Sequence, residues 1–520
     1  MRPVIMILGA GVMQLPAYKA AKKNNWISIG ADGNPDASCR QLADYFIPVD
    51  LKDRVRLTEK ASEFKEKIGL DGVFTCGTDF STSVAWIAAE LNLPGIPYKA
   101  ALNCTDKIRM RSVFAENSVP SPAFVEVSED MDISRVTKNL NYPLVVKPVD
   151  NMGGRGVIKV LSPESLEEAV KEAIRFSRTD RAIMEEFMEG PEFSLDSLIK
   201  DGELHVTGFA DRHIFFPPCF IEMGHTLPTS LSEKDKKEII RVFGLAVKAL
   251  GITNGAAKGD IKLCSDGVMI GEIAARLSGG YMSGWTYPYA SGVPLVEMGM
   301  KIAMAMDPGD FNEPESDSSS ERAFISIPGT VKEIKYLDEA HDIDGVMDLF
   351  LRVEEGDQVI FPVNNVTKCG NVLALGKTRE EALASSEAAV KRIRILLEPG
   401  SLETENYMKM PLSHGFPPSA YESQENSWCK TEGFFEFNPD FSMTYTIHPL
   451  PVPVSEDPLY SIKDWHGISI GEALTELKNE KDIVVTEGGE WTLFSRHLWF
   501  SLLRGGIQGA LWFLERNEEI

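Results

Sequence analysis

Tyr142-Pro143-Leu144-Val145-Val146-Lys147-Pro148 is an apolar run that ends on a lysine, and Asn151-Met152-Gly153-Gly154-Arg155-Gly156-Val157 follows it closely. The first segment reads as a buried strand. The second reads as a glycine-rich turn leading into the next strand. Gly153, Gly154 and Gly156 would let backbone N–H groups come close to phosphate oxygens. Lys147 would add a point charge toward the same oxygens. The pair by itself is equally an ordinary hairpin turn, so its meaning depends on what lies on either side.

On the C-terminal side, Ala182-Ile183-Met184 is an apolar strand that runs into Glu185-Glu186-Phe187-Met188 and then Glu192. A hinge of this kind can present backbone groups to an adenine edge while Glu192 accepts from ribose hydroxyls. Further on, Asp260-Ile261-Lys262-Leu263, a Ser265-Asp266-Gly267 turn and Val268 to Ile273 read as a hairpin. Alternation can put Asp260 and Glu272 on one face. Two such carboxylates suit Mg²⁺ when nucleotide phosphates supply the other oxygens. Arg276 could reach a phosphate or a substrate carboxylate.

On the N-terminal side, strand and helix signals alternate over residues 1–100, as in a doubly wound α/β module. Gly9-Ala10-Gly11 after the first strand, with Asp32 closing the second, is part of a dinucleotide fingerprint. Its third glycine is replaced by Gln14, so a structural or substrate-positioning role is the better reading.

The chain has 520 residues, 43% hydrophobic and 25% charged, enough for several domains. The net charge of −24 argues against bulk nucleic-acid binding. Seven scattered cysteines without a C-x-x-C pair fit a reduced, cytoplasmic setting. The start is not read as a signal peptide, and no apolar run is long enough for a membrane span.

Taken in order, Lys107, Lys147, the glycine loop 153–156, the Glu185–Met188 hinge, Glu192, Asp260, Glu272 and Arg276 resemble the ATP-grasp superfamily. Pro328-Gly329-Thr330-Val331, Gly356-Asp357 and the stretch from Gly376 to Ala382 resemble the small C-terminal domain of L-amino-acid ligases and biotin-carboxylase-like relatives. The resemblance covers roughly residues 1–400. It implies a multidomain chain of α/β and α+β parts: a Rossmann-like pre-ATP-grasp domain (1–104), an ATP-grasp domain (105–315), a small β-rich domain (321–400) and an appended region (401–520). A polar, acidic linker is expected over 313–321, a helix over 379–397, and helices near 469–478 and 494–515.

The resemblance also implies roles. Lys107 and Lys147 would contact the nucleotide phosphates, with Gly153, Gly154 and Gly156 closing over them. The hinge Glu185, Glu186 and Met188 would meet adenine, and Glu192 the ribose. Asp260 and Glu272 would ligate Mg²⁺, with Mn²⁺ as an alternative ion, and Glu272 would bridge two ions. Arg276 would stabilise an acyl phosphate. The chain departs from the family in having Ala274 where Asn is usual and Asp260 where Glu is commoner. On the substrate side, His225, next to the apolar loop 214–220, and Gly279, Gly280 and Tyr281 would border the pocket; the loop's aromatics read equally as core, and His225 as a structural hydrogen-bonder.

The expected activity is that of an ATP-dependent carboxylate–amine ligase that releases ADP and phosphate. Its partners would be a small-molecule carboxylate and an amine, without nucleic acid or membrane, and a homodimer is an open expectation. Two alternatives stay open: a purine-biosynthesis or carbamoyl-phosphate-synthase-like enzyme, and a nucleotide-binding assembly protein that has lost turnover.

Overall fold

The structure, a computed structural model, describes residues 2–311, 317–421, 446–447, 461–481, 484–485 and 493–518. They form two compact units. The first comprises residues 1–214, 224–321 and 375–382, and the second residues 215–223, 322–374 and 383–520.

The first unit opens with four parallel strands in the order Tyr45–Pro48, Ile27–Asp32, Val4–Leu8, Gly72–Phe74. Every residue of Val4–Leu8 is buried, which is why it reads as a continuous apolar run rather than an alternating one. Gln14 takes the place of a third fingerprint glycine in fact as well as in sequence. Its side chain fills the space beside Gly9, where a Cβ would come within 2.7 Å of it. It donates to the Cys76 carbonyl and to Thr78 Oγ1. Asp32 accepts from the backbone N–H groups of Ala10 and Asn34. These bonds tie the turn to the ends of the neighbouring strands.

Helix Lys107–Glu116 begins immediately after Asp106, whose carboxylate accepts from the N–H groups of Ile108 and Arg109. A second sheet follows in the order Phe124–Val127, Ala182–Glu186, Leu144–Pro148, Ile158–Val160. Helix Leu166–Phe176 covers it with Leu166, Ala169, Val170 and Ala173. In a third, antiparallel set, Glu192–Lys200 lies between Glu203–Phe215 and Gly255–Cys264, and Gly267–Ala274 pairs with the latter. Helix Glu233–Leu250, capped by Ser232 and closed by Gly251 at φ 84°, buries Ile239, Val242, Phe243 and Ala246 in the same core as Leu195, Ala257 and Ile273.

The second unit pairs Gly329–Lys335 with Gln358–Val359 and Arg394–Leu397, and Val346–Leu351 with Gly370–Gly376. One hydrophobic cluster joins these strands to helices Ile470–Lys481 and Leu493–Glu518. Leu498, Trp499, Phe500, Leu502, Leu503, Ile507, Leu511, Trp512, Phe513 and Leu514 are all buried there. The last helix is broken at Gly506, whose φ of 64° is not helical. No described helix is long and apolar enough to cross a membrane.

Three local expectations are corrected. The helix expected over 379–397 ends at Arg392, because Arg394–Leu397 is a wholly buried strand, and one helical face could not bury that run. Of the stretch expected as a linker, residues 312–316 lie outside the described residues. Ser318–Phe324 is a strand in which Ser319, Ser320 and Glu321 are fully buried. Those polar side chains are accommodated by internal partners: Ser319 donates to the Thr286 carbonyl and Glu321 pairs with His225. The aromatic loop 214–220 is core rather than pocket wall in part, since Phe216 packs edge-on against Phe361 at 5.1 Å.

Candidate nucleotide and substrate site

All the groups described here belong to the first unit. Lys107 opens its helix, is nearly buried, and donates to the Asn151 carbonyl at 2.9 Å, which ties the helix start to the glycine loop. Its ammonium is also 3.7 Å from Glu272. Lys147 comes off the central strand of the second sheet and reaches Glu185 at 2.6 Å. The other oxygen of Glu185 accepts from Arg111 Nε at 2.7 Å. Burial disfavours the Glu185 carboxylate, but Arg111 and Lys147 hold its pKa below the usual range. The Glu185 side chain thus fixes Lys147, while its backbone stays in the sheet opposite Val145 and Phe124. Arg111, which the sequence reading did not single out, is essentially buried and also donates to the Gly271 carbonyl at 2.6 Å. Helix spacing from Lys107 was the available signal, because four residues on is the same helix face.

The loop 149–157 turns on Gly153, Gly154 and Gly156, with φ of 70°, 76° and 68°. A Cβ on Gly156 would lie 3.0 Å from Phe176 and 3.1 Å from Pro148. Asn151 anchors one end by donating to the Phe176 carbonyl. On the hinge, Glu186 accepts from the backbone and side chain of Asn141, and the Met188 carbonyl accepts from Lys262 at 3.2 Å. Lys159 and Lys262 stand over the ring of Phe187 at 3.7 and 4.8 Å.

Strand register arranges the remaining charges in rows. Arg212, Glu192 and Lys262 lie opposite one another on three neighbouring strands, and Glu192 is ion-paired with both cations. In the next row Ser194 faces Asp260, and Asp260 faces Glu272. In the third row Asp196 faces Lys258, and Lys258 faces Ala274. A bulge after Asp260 leaves Gly271 as the extra residue, and Arg111 binds its carbonyl. Asp260 Oδ2 is paired with Lys258; its Oδ1 is 2.7 Å from Arg212 but buried without a well-aimed hydrogen bond. Burial alone would raise the pKa of Glu272, yet Lys107, Lys147, Lys258 and Arg276 hold it at about 2. Two opposed carboxylates could hold a magnesium ion that also takes phosphate oxygens.

Arg276 donates to the Leu277 carbonyl, while its buried Nε has no hydrogen-bond acceptor, as suits a side chain waiting for an anionic oxygen. Ser278 donates to Asp196 through both its backbone N–H and its hydroxyl. Burial pushes the Asp196 carboxyl up to about 6, against the pull of Ser278, Lys258 and Arg276. Gly279 packs on Gly77, where a Cβ would stand 2.9 Å from the carbonyl oxygen. Gly280 and Tyr281 follow with φ of 61° and 64°, and the Tyr281 ring meets Trp285 edge-on at 5.5 Å. His225 is not among the open groups: it is wholly buried, with Nδ1 2.6 Å from the equally buried Glu321. A cavity of about 870 Å³ lies elsewhere in this unit, beside helix Leu166–Phe176, lined by residues such as Met131, Ile133, Tyr142 and Val170. It contains none of the groups assembled above.

Residues 140–284 match the family described as the ATP-grasp domain, and residues 323–398 match L-amino acid ligase C-terminal domain 2. An uncharacterized protein of Sinorhizobium fredii is 24% identical over 358 residues, covering 68% of this chain and 74% of that one. The L-arginine-specific L-amino acid ligase of Bacillus subtilis is 23% identical over 282 residues, covering 53% of this chain and 67% of that one. The crystal structure of L-amino acid ligase from Bacillus licheniformis superposes with a TM-score of 0.67 at 23% identity, over 76% of this chain and 99% of that one. That last likeness is one of fold.

Proposed function

We propose that this chain, which carries an ATP-grasp domain followed by an L-amino acid ligase C-terminal domain, is an ATP-dependent carboxylate–amine ligase that works through an acyl phosphate. The observation that carries the reading is the opposition of Asp260 and Glu272 across one strand pair, beside Lys107 and in reach of the Lys147 and Arg276 fields. In this reading a carboxylate oxygen of the first substrate attacks the γ-phosphorus of ATP and ADP departs. An amine then attacks the acyl carbon, and phosphate leaves.

Positioning and charge neutralisation carry such a transfer. Lys107 and Lys147 would bind phosphate oxygens, and the glycine loop 153–156 would cover them and keep water from the acyl phosphate. Arg276 would use its unengaged Nε on the transferred phosphoryl group or the substrate carboxylate. Gly279, Gly280 and Tyr281 would shape the acid and amine pocket, and Glu192 with the hinge at Glu185, Glu186 and Met188 the nucleoside pocket. Mg²⁺, or Mn²⁺ in its place, would supply charge compensation between the phosphates and the two carboxylates. The divisions at 104, 315 and 321 remain our proposed domain plan, while the described residues beyond 400, expected as an appended region, share one core with the 321–400 strands.

A second reading, a nucleotide-binding protein without turnover, draws on Ala274, which offers no ligand beside Glu272. Incubation of the protein with Mg-ATP and pooled amino acids, read by phosphate release and nucleotide chromatography, separates the two. ADP that appears only with an acid and amine supports the ligase. Stoichiometric AMP refutes it, and tight nucleotide binding without any product supports the second reading.

A further inference from the structure

We infer that the metal site of this protein takes a single divalent cation, and that the ammonium of Lys258 is built in where a second ion would otherwise neutralise charge. The inference rests on the nucleotide site proposed above and adds to it the number of ions and the residue that sets it. Lys258, Asp260, Glu272 and Ala274 form a square on one face of an antiparallel pair, Asp260 opposite Glu272 and Lys258 opposite Ala274. Ions between strands need oxygen or nitrogen donors from both. The Asp260–Glu272 side of the square has them, and the Lys258–Ala274 side has only a methyl group and an ammonium. Among the described residues no third His, Cys, Asp or Glu joins the two carboxylates in a metal-binding cluster.

The Lys258 side chain is largely buried and is held in place by charge. It is paired with Asp260 Oδ2 and flanked on its other side by Asp196, the register partner on the neighbouring strand. Asp196 is itself fixed by two hydrogen bonds from Ser278. A divalent ion placed beside Ala274 would therefore meet a fixed positive charge within the same square, in a water-poor site where such repulsion is poorly screened. Asp260 Oδ1 has no aimed hydrogen bond, although the Arg212 guanidinium stands 2.7 Å from it, and the more open Glu272 carboxylate lies opposite Asp260 on the paired strand. One ion and one lysine thus complete the site.

The test is a count of bound Mn²⁺ by the electron paramagnetic resonance of the free ion, using the full chain with one equivalent of the non-hydrolysable analogue β,γ-methylene-ATP. Analogue binding is followed in parallel by calorimetry. The expected result is a single Mn²⁺ per nucleotide-bound chain; two would overturn the inference while leaving the nucleotide site intact. Ala274→Asn alone is expected to keep a single ion, because Lys258 stays in place. Lys258→Met combined with Ala274→Asn is expected to admit a second, and a count that stays at one in the double variant would overturn the role given to Lys258. Lys258→Arg, which preserves the charge and suits the same pairing, should keep a single ion; a second ion there would also overturn that role. Failure of the unaltered chain to bind the analogue at all would remove both this inference and the reading beneath it.

Discussion

Arg111 and Glu185 form a buried ion pair, guanidinium Nε to carboxylate Oε1 at 2.7 Å, and the second carboxylate oxygen holds Lys147 at 2.6 Å. The strand lysine proposed to meet phosphate is therefore positioned, through Glu185, by a residue on helix Lys107–Glu116, seventy-four residues earlier in the chain than its Glu185 partner. Arg111→Met should leave Glu185 with one cation instead of two and cost about 3–5 kcal/mol of stability. It should also weaken nucleotide binding, because Lys147 would be drawn further onto Glu185. Urea unfolding together with nucleotide calorimetry reads both effects; unchanged values in both would show that the pair positions nothing. Lys147→Ala should lower turnover at least ~10²-fold with the fold retained, since Glu185 keeps Arg111.

Asp196 gives a stability change with a definite sign. Its carboxyl is raised from 3.8 to about 6 by burial, so the folded chain holds that proton more tightly than the unfolded chain. Its contribution is most favourable below the unfolded value, falls as pH rises between the two values, and is flat above about 6. A shift of roughly 2 units corresponds to about 3 kcal/mol. Asp464, in the second unit and also raised to about 6 by burial, acts in the same direction. Asp196→Asn should therefore remove part of the loss in stability between acid and neutral pH and leave the Asp464 part. Denaturant midpoints of both proteins across that range decide the matter, and parallel curves would contradict it.

Gly279→Ala tests the substrate loop. The new Cβ would stand 2.9 Å from the Gly77 carbonyl oxygen, a backbone atom that cannot rotate away. Overpacking of this kind costs about 1–3 kcal/mol. Because the loop follows Arg276 directly, the KM for acid or amine should rise more than the KM for ATP. Equal rises would mean the loop serves the fold and not the pocket.

Trp512→Ala tests the second unit. The ring is buried, and its Nε1 donates to the Glu398 carbonyl at 3.2 Å. A cavity and a lost hydrogen bond together should cost about 3–5 kcal/mol. Removal of residues 493–518 should be worse, because Trp499, Phe500, Leu511 and Leu514 share one core with Val331, Ile395 and Leu397. A chain cut at residue 400 that remains soluble and cooperatively folded would contradict this packing.

The primary sequence determined the elements and the reactive residue types. Val4–Leu8, Leu144–Pro148 and residues 260–263 of Gly255–Cys264 are legible because buried strands need continuous or alternating apolar runs, and the Ser265-Asp266-Gly267 turn allows only a short hairpin. Spacing alone, continued from Ile261 opposite Ile270, would put Gly271 opposite Asp260; the bulge after Asp260 brings Glu272 there instead, and the turn signals do not announce it. Arg394–Leu397 was mistaken for helix because a short apolar run has no period that separates the two, and only its pairing with Gly329–Lys335 decides.

Only the tertiary structure decided which charges meet. Arg212 reaches Glu192 and Asp260, Lys258 faces Ala274, and Arg111 holds Glu185, through strand neighbours and a helix that the chain order does not announce. It also decided between the two readings of His225, pocket residue or structural hydrogen-bonder, by sealing it in a pair with Glu321, ninety-six residues away. The physical reason is one of range. Hydrophobic periodicity and turn chemistry act within a few residues, so a sequence displays them. The pairing of a buried charge depends on which strands become neighbours when the core closes, because desolvation makes an unpaired ion too costly wherever the fold happens to put it.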